Sequence, residues 1–93
     1  MIRSFWSFAI AAVVFVGGGM PSLAADPAFC DQYARLAVHE AQVLSTLPCF
    51  RGFDRRWHLN YQAHYQWCLT ADYGAATAER DYRRMRVYQC GGS

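Results

Sequence analysis

The chain has 93 residues, a formal charge of +2 and no lysine among its nine basic residues. That length holds one domain at most, and a charge this near balance argues against a dedicated nucleic-acid binder. Hydrophobic residues make up 54% of the chain and their excess sits at the amino end, so the core of the remainder is small and calls for staples.

In chain order, Arg3 precedes an apolar run over residues 5–16. Gly17, Gly18, Gly19 and Pro21 break the run, and Ser22 and Ala24 place small residues at −3 and −1 of a cut after Ala24. A basic start, a short apolar run and a small-x-small site describe a secretory signal peptide over residues 1–24, with Ala25 as the second choice of cut. The run falls short of the roughly 20 residues that span a bilayer, which disfavours a retained anchor. Cys30 follows Pro27-Ala28-Phe29 and no small-residue lipobox, which disfavours a lipoprotein. The expectation is a periplasmic or secreted domain over residues 25–93, with no transmembrane segment in the mature chain.

Asp26-Pro27 reads as an N-cap followed by proline in the first helical turn. Cys30, Tyr33, Ala34, Ala37, Ala41 and Leu44 then recur at spacings of three and four, the stripe of an amphipathic helix ending near Thr46 ahead of Pro48. Gly52 marks a turn in the connector, where Phe50 and Phe53 are expected to close the core from one end. A second helix is expected from Asp54 or Arg55 to about Thr70, with Trp57, Tyr61, His64, Tyr65 and Cys68 on its inner side. Asp72-Tyr73-Gly74 reads as the next turn. A third helix follows from about Ala75 to Gln89, its stripe Ala75, Ala78, Tyr82 and Met85, with glycine after Cys90 available to end it. No run alternates with period two for long enough to argue a strand.

Three helices on short connectors run up, down and up, an all-α three-helix bundle. Cys30 starts the first helix and Cys68 ends the second, at one pole; Cys49 follows the first and Cys90 ends the third, at the other. The bridges are therefore Cys30–Cys68 and Cys49–Cys90. Pairing Cys30 with Cys49 or Cys90 would cross a helix of roughly 25 Å, whereas disulfide Cα atoms sit under about 7 Å apart. Successive cysteines are 19, 19 and 22 positions apart with no C-x-x-C, against both a redox pair and a structural zinc site.

Among polar side chains, Arg51, Arg55, Arg56, Arg83, Arg84 and Arg86 gather at the pole where the first and third helices end. Part of this offsets exposed helix carbonyls, but two helix ends do not require six arginines. The surplus points to a partner-binding patch for an acidic protein or an envelope polyanion. His58 and His64 stand about 120° apart on a helical wheel, so a metal site would need His64 with His39 or Glu40. Trp67 falls off the inner stripe, and an exposed tryptophan near arginines can stack on a sugar or another ring. No nucleophile–histidine arrangement or carboxylate pair stands out, and the expectation is a non-enzymatic protein without a cofactor.

Cys30, Tyr33, Cys49, Trp57, Tyr61, His64, Tyr65, Trp67, Cys68 and Cys90 follow a pattern. A tyrosine comes soon after the first cysteine, a Trp before a Tyr, then H-Y-x-W-C, and an arginine-rich last helix ends in Cys. In these residues the chain resembles small exported bacterial four-cysteine helical proteins, over nearly the whole mature length. It departs from them in its arginine-bearing connector, F-R-G-F-D-R-R-W. The resemblance implies export and disulfides and carries no catalytic or binding residue. The sequence thus reads as an exported helical module that is structural or binds a partner through its arginine-rich pole; the alternative is a metal- or small-ligand-handling periplasmic protein using His64 with His39 or Glu40.

Overall fold

A computed structural model describes residues 24–92 of the chain. The expected leader therefore lies outside the described residues except for Ala24. Three helices form an up-down-up bundle: α1 over Pro27–Leu44, α2 over Tyr61–Thr70 and α3 over Tyr73–Gln89. None of these helices is long and apolar enough to cross a membrane.

Each helix starts on a side-chain oxygen that takes one of the amides the first turn leaves open. Asp26 Oδ1 accepts from the Phe29 N–H at 2.8 Å, Asn60 Oδ1 from Ala63 at 3.1 Å and Asp72 Oδ1 from Ala75 at 2.7 Å. At the far end of α3, Gly91 adopts φ +100. The Gly92 N–H returns to the Val87 carbonyl and the Gly91 N–H to that of Tyr88, a Schellman ending that needs the left-handed residue glycine supplies.

The inner face of α1 is as the spacing requires. Cys30, Tyr33, Ala34, Ala37, Ala41 and Leu44 are all buried, and Glu40 joins them. Four of these six are alanine or cysteine, so neighbouring backbones approach closely. α1 packs against both α2 and α3, while α2 and α3 barely touch each other. At the Cys30–Cys68 pole the core also takes in Ala25 and Ala76. There the Ala25 N–H donates to the Ala71 carbonyl at 3.4 Å, laying the segment before α1 against the α2–α3 turn.

The two disulfides are Cys30–Cys68 and Cys49–Cys90, with Cα separations of 5.5 and 5.8 Å. They tie opposite poles of the bundle and leave no free cysteine.

Several readings of the sequence are corrected. The second helix begins at Tyr61 and not at Asp54 or Arg55. Residues 51–60 form an irregular connector that carries Trp57 and His58. The third helix begins two residues earlier than expected, and its buried positions are Ala76, Arg83 and Val87. Tyr82 and Met85, expected inside, are exposed on its outer side, and Phe53 is exposed on the connector. The inner stripe of α3 is thus one position out of phase with the aromatic and methionine residues that suggested it.

The bridges differ in access. Cys30 and Cys68 are wholly buried, whereas Cys49 and Cys90 are partly exposed. Thiol attack requires access to a sulfur, so mild reduction opens Cys49–Cys90 first, with Cys30–Cys68 opening only with global unfolding. Timed alkylation and peptide mapping under a dithiol reductant checks this order.

Candidate functional site

The functional candidates divide between a cleft and an arginine-rich end. The cleft lies where α2 and α3 diverge. Its volume is about 1260 Å³, and its lining includes Tyr33 of α1, Ala63, His64 and Trp67 of α2, Glu79 and Arg83 of α3, and residues 54–56 and 58–60 of the connector.

A hydrogen-bonded charge network forms its floor. Arg83 is only 4% exposed. Its Nη1 donates to the Tyr33 hydroxyl at 2.9 Å and its Nε to the Arg56 carbonyl at 3.3 Å. Its Nη2 lies 3.6 Å from Glu79. Glu79 also receives a two-pronged contact from Arg56, whose Nε and Nη2 donate at 2.6 and 3.1 Å. One buried guanidinium thus ties α1, α3 and the connector together. The Arg56 guanidinium rests on the Tyr82 ring, 4.2 Å from its centroid, which accounts for the outward position of that tyrosine. Burial pushes the Tyr33 phenol above its ordinary value, against the opposing charge of Arg83, so the hydroxyl stays neutral.

The connector takes its shape from bonds that compete with helix formation. In a helix from Asp54, the carbonyls of Arg56, Trp57 and His58 would accept from residues 60, 61 and 62. Instead Arg83 takes the Arg56 carbonyl, the Asp54 N–H takes that of Trp57 at 2.8 Å, and His64 Nε2 bonds that of His58 at 3.0 Å. The Asn60 N–H turns to His58 Nδ1 at 3.2 Å. Asp54 still caps an abortive turn, its Oδ1 accepting from the N–H groups of Arg56 and Trp57.

This path brings the two histidines together, contrary to the helical-wheel reading. The rings of His58 and His64 are stacked, with centroids 3.8 Å apart and planes 6° from parallel. His64 is 3% exposed. Burial, with lesser contributions from His58 and Arg83, drives its pKa down to about 4, against the hydrogen bond that its Nε2 donates to the His58 carbonyl. Burial and Arg83 also lower His58, against Asp54. Both imidazoles are therefore neutral at pH 7, with His64 donating from Nε2 and His58 accepting at Nδ1.

Trp67 stacks on Tyr33, with ring centroids 5.6 Å apart and planes at 27°, yet it remains 43% exposed. Outside the cleft, Glu40 is buried at 6% exposure, with Oε1 lacking a protein hydrogen-bond partner, and burial raises its pKa against the charge of Arg84 and Arg83. At the Cys30–Cys68 pole the Tyr61 hydroxyl donates to Asp31 at 2.5 Å; this bond, with Arg35, holds the Asp31 carboxyl below its usual range.

The six arginines of the sequence-based patch do not share one role. Arg83 is buried and Arg56 is engaged with Glu79, whereas Arg51, Arg55, Arg84 and Arg86 join no ion pair among the described residues. Arg51, Arg56 and Arg86 line a second, smaller hollow of about 290 Å³ beside Cys49, together with Trp57, Asp54 and Tyr82. Among the described residues no group of three or more His, Cys, Asp or Glu is placed to hold a metal ion. Sequence reasoning missed the Tyr33–Arg83–Glu79–Arg56 network. Its available signal was the spacing of Ala76, Arg83 and Val87 at i, i+7 and i+11, which places the arginine on an inner face.

Compared with protein-family models, with curated proteins and with solved structures, the chain matches none.

Two predictions follow from this geometry. Replacing Arg83 with Met leaves the Arg56 carbonyl and the Tyr33 hydroxyl unpaired and costs about 3 kcal/mol, whereas Arg84→Ala stays within about 0.5 kcal/mol; urea unfolding of each variant reads the difference. The second concerns pH. His64 titrates near 4 when folded but near 6.5 when unfolded, so below pH 6.5 the unfolded chain binds the extra proton. That contribution to stability is complete above pH 6.5 and lost as pH falls toward 4, by roughly 3 kcal/mol in all. Glu40 acts in the opposite sense and is common to wild type and variant, so the gap between wild type and His64→Gln isolates the histidine. Their stabilities should converge between pH 7 and pH 4 in parallel urea titrations.

Proposed function

We propose that the protein is an exported, non-enzymatic helical module that binds an acidic partner, an anionic protein face or an envelope polyanion, through its arginine-rich end. The observation that carries this reading is the placement of Arg51 and Arg86 in one hollow beside the Cys49–Cys90 bridge, with Arg84 on the same helix end and none of the three in an ion pair among the described residues. Guanidinium groups outside any ion pair present fork-shaped donors suited to carboxylate and phosphate, and Asp54 is the one carboxylate lining the hollow. The bridge joins the connector that bears Arg51 to the helix end that bears Arg86, so both are held without a ligand.

Export is supported by the leader-like pattern over residues 1–24 and by disulfides, which persist in oxidising compartments. The likeness of the H-Y-x-W-C core to small exported four-cysteine proteins supports the same assignment. The partner-binding surface is narrower than the six-arginine patch, because Arg83 and Arg56 already serve the fold.

Retention on immobilised polyglutamate and polyphosphate tests the reading. Binding should fall steeply between about 50 and 500 mM salt, since exposed charges are screened over that range. Arg51→Ala and Arg86→Ala should each weaken it, while Arg35→Ala, whose arginine is paired with Asp31 toward the other pole, leaves it unchanged. Retention indifferent to salt, or equally sensitive to Arg35→Ala, rejects the arginine-rich end as the surface.

A further inference from the structure

We propose that the cleft between α2 and α3 is a binding site for an acidic saccharide, a sugar ring carrying a carboxylate; it adjoins the hollow beside Cys49, with which it shares Asp54 and Arg56, but Trp67 and Arg55 line the cleft alone. The inference goes beyond the partner surface and does not depend on it.

The first argument is the platform. Trp67 lines the cleft and is 43% exposed overall, although an indole of this size gains most by burial. Its orientation is fixed by the stack on Tyr33, which in turn is held by Arg83. An aromatic ring held in this way suits the C–H face of a sugar ring, and the indole need not be ordered when the ligand arrives.

The second argument is the set of hydrogen-bonding groups. Asn60, Asp54 and His58 each commit one atom to the backbone: Asn60 Oδ1 to the Ala63 N–H, Asp54 Oδ1 to the N–H groups of Arg56 and Trp57, and His58 Nδ1 to the Asn60 N–H. Each is thereby fixed in place. Each keeps a second atom, Asn60 Nδ2, Asp54 Oδ2 and His58 Nε2, that makes no hydrogen bond among the described residues. The three remaining atoms comprise an amide donor, a carboxylate acceptor and, in the tautomer set by the Asn60 bond, an imidazole N–H donor. A mixed set of fixed donors and acceptors matches hydroxyl groups, which act as both. A sulfate or phosphodiester, which only accepts, would meet Asp54 Oδ2 unfavourably.

The third argument is charge. The lining carries Arg55, Arg56 and Arg83 against Asp54 and Glu79, with both imidazoles neutral, which leaves one positive charge. Arg55 has no carboxylate partner among the described residues. One uncompensated guanidinium at the rim calls for one carboxylate on the ligand, not for a dense polyanion. A flat aromatic acid would fit the tryptophan but would leave the three hydrogen-bonding atoms unused.

Calorimetric titration of the disulfide-intact protein with a galacturonate oligosaccharide, and with its neutral galactose counterpart, tests the proposal. The acidic sugar should bind more tightly than the neutral one, and Trp67→Ala and Arg55→Gln should each weaken it by about tenfold or more. Trp67→Phe preserves a ring on Tyr33 and should retain part of the affinity, which guards against a variant that fails to fold. Arg51→Ala with Arg86→Ala should leave saccharide affinity unchanged while abolishing retention on polyglutamate, so the two sites can fail independently. Absence of binding, equal affinity for the neutral sugar, or binding that survives Trp67→Ala but is lost with Arg51 and Arg86, overturns the proposal.

Discussion

Arg83 is the constraint on which the middle of the molecule depends. The disulfides hold the two poles, but between them α1 presents mainly alanine to its neighbours, and α2 and α3 barely meet. The guanidinium fills that middle, taking the Tyr33 hydroxyl, the Arg56 carbonyl and Glu79 at once. A buried charge is costly unless it is both paired and hydrogen-bonded, and here each face of the fork has a partner. The consequence is structural and electrostatic together. The connector is pulled onto the bundle and a positive charge is placed on the cleft floor, where it opposes protonation of His58 and His64.

What the sequence made legible is what local chemistry decides. Asp26-Pro27 starts α1, the run from Cys30 to Leu44 faces inward, and Gly91 closes α3, because capping, periodicity and left-handed backbone are matters of a few adjacent residues. The disulfide pairing was legible for a related reason: once three helices alternate in direction, helix length alone separates allowed from forbidden bridges. The connector was not legible. Asp54 does cap a turn there, and the residues after it are not poor helix formers. The helix fails because Arg83 and His64, 27 and six positions along the chain, claim the carbonyls of Arg56 and His58. Tertiary partners of that kind override a weak local preference.

The candidate site was legible in its parts and not in its assembly. Trp67 was singled out as off the inner stripe and is exposed; the arginines were singled out as more than two helix ends need. Grouping all six as one patch went wrong at Arg83, because the α3 stripe was drawn through the bulky residues Tyr82 and Met85. Both are exposed, at 38% and 53%. In a larger core those side chains would be worth burying. Here α1 offers alanines, and Arg83 with its long stem and several donors spans the gap while satisfying polar groups that an apolar side chain would strand.

A chain with this little core has two routes to rigidity, covalent ties and bonded polar groups, and it places them differently. The bridges sit at the ends, where they limit how far the helices can part. The polar network sits in the middle, where it leaves α2 and α3 spread. A fully apolar middle would draw those two helices together and close the cleft, since burial rewards contact of any kind. Directional bonds do not: the Arg83 fork is satisfied at one separation and one connector path. The same feature that makes the interior polar therefore keeps Trp67 accessible, with the tyrosine beneath it fixed. In this protein the open cleft follows from how the small core is held together.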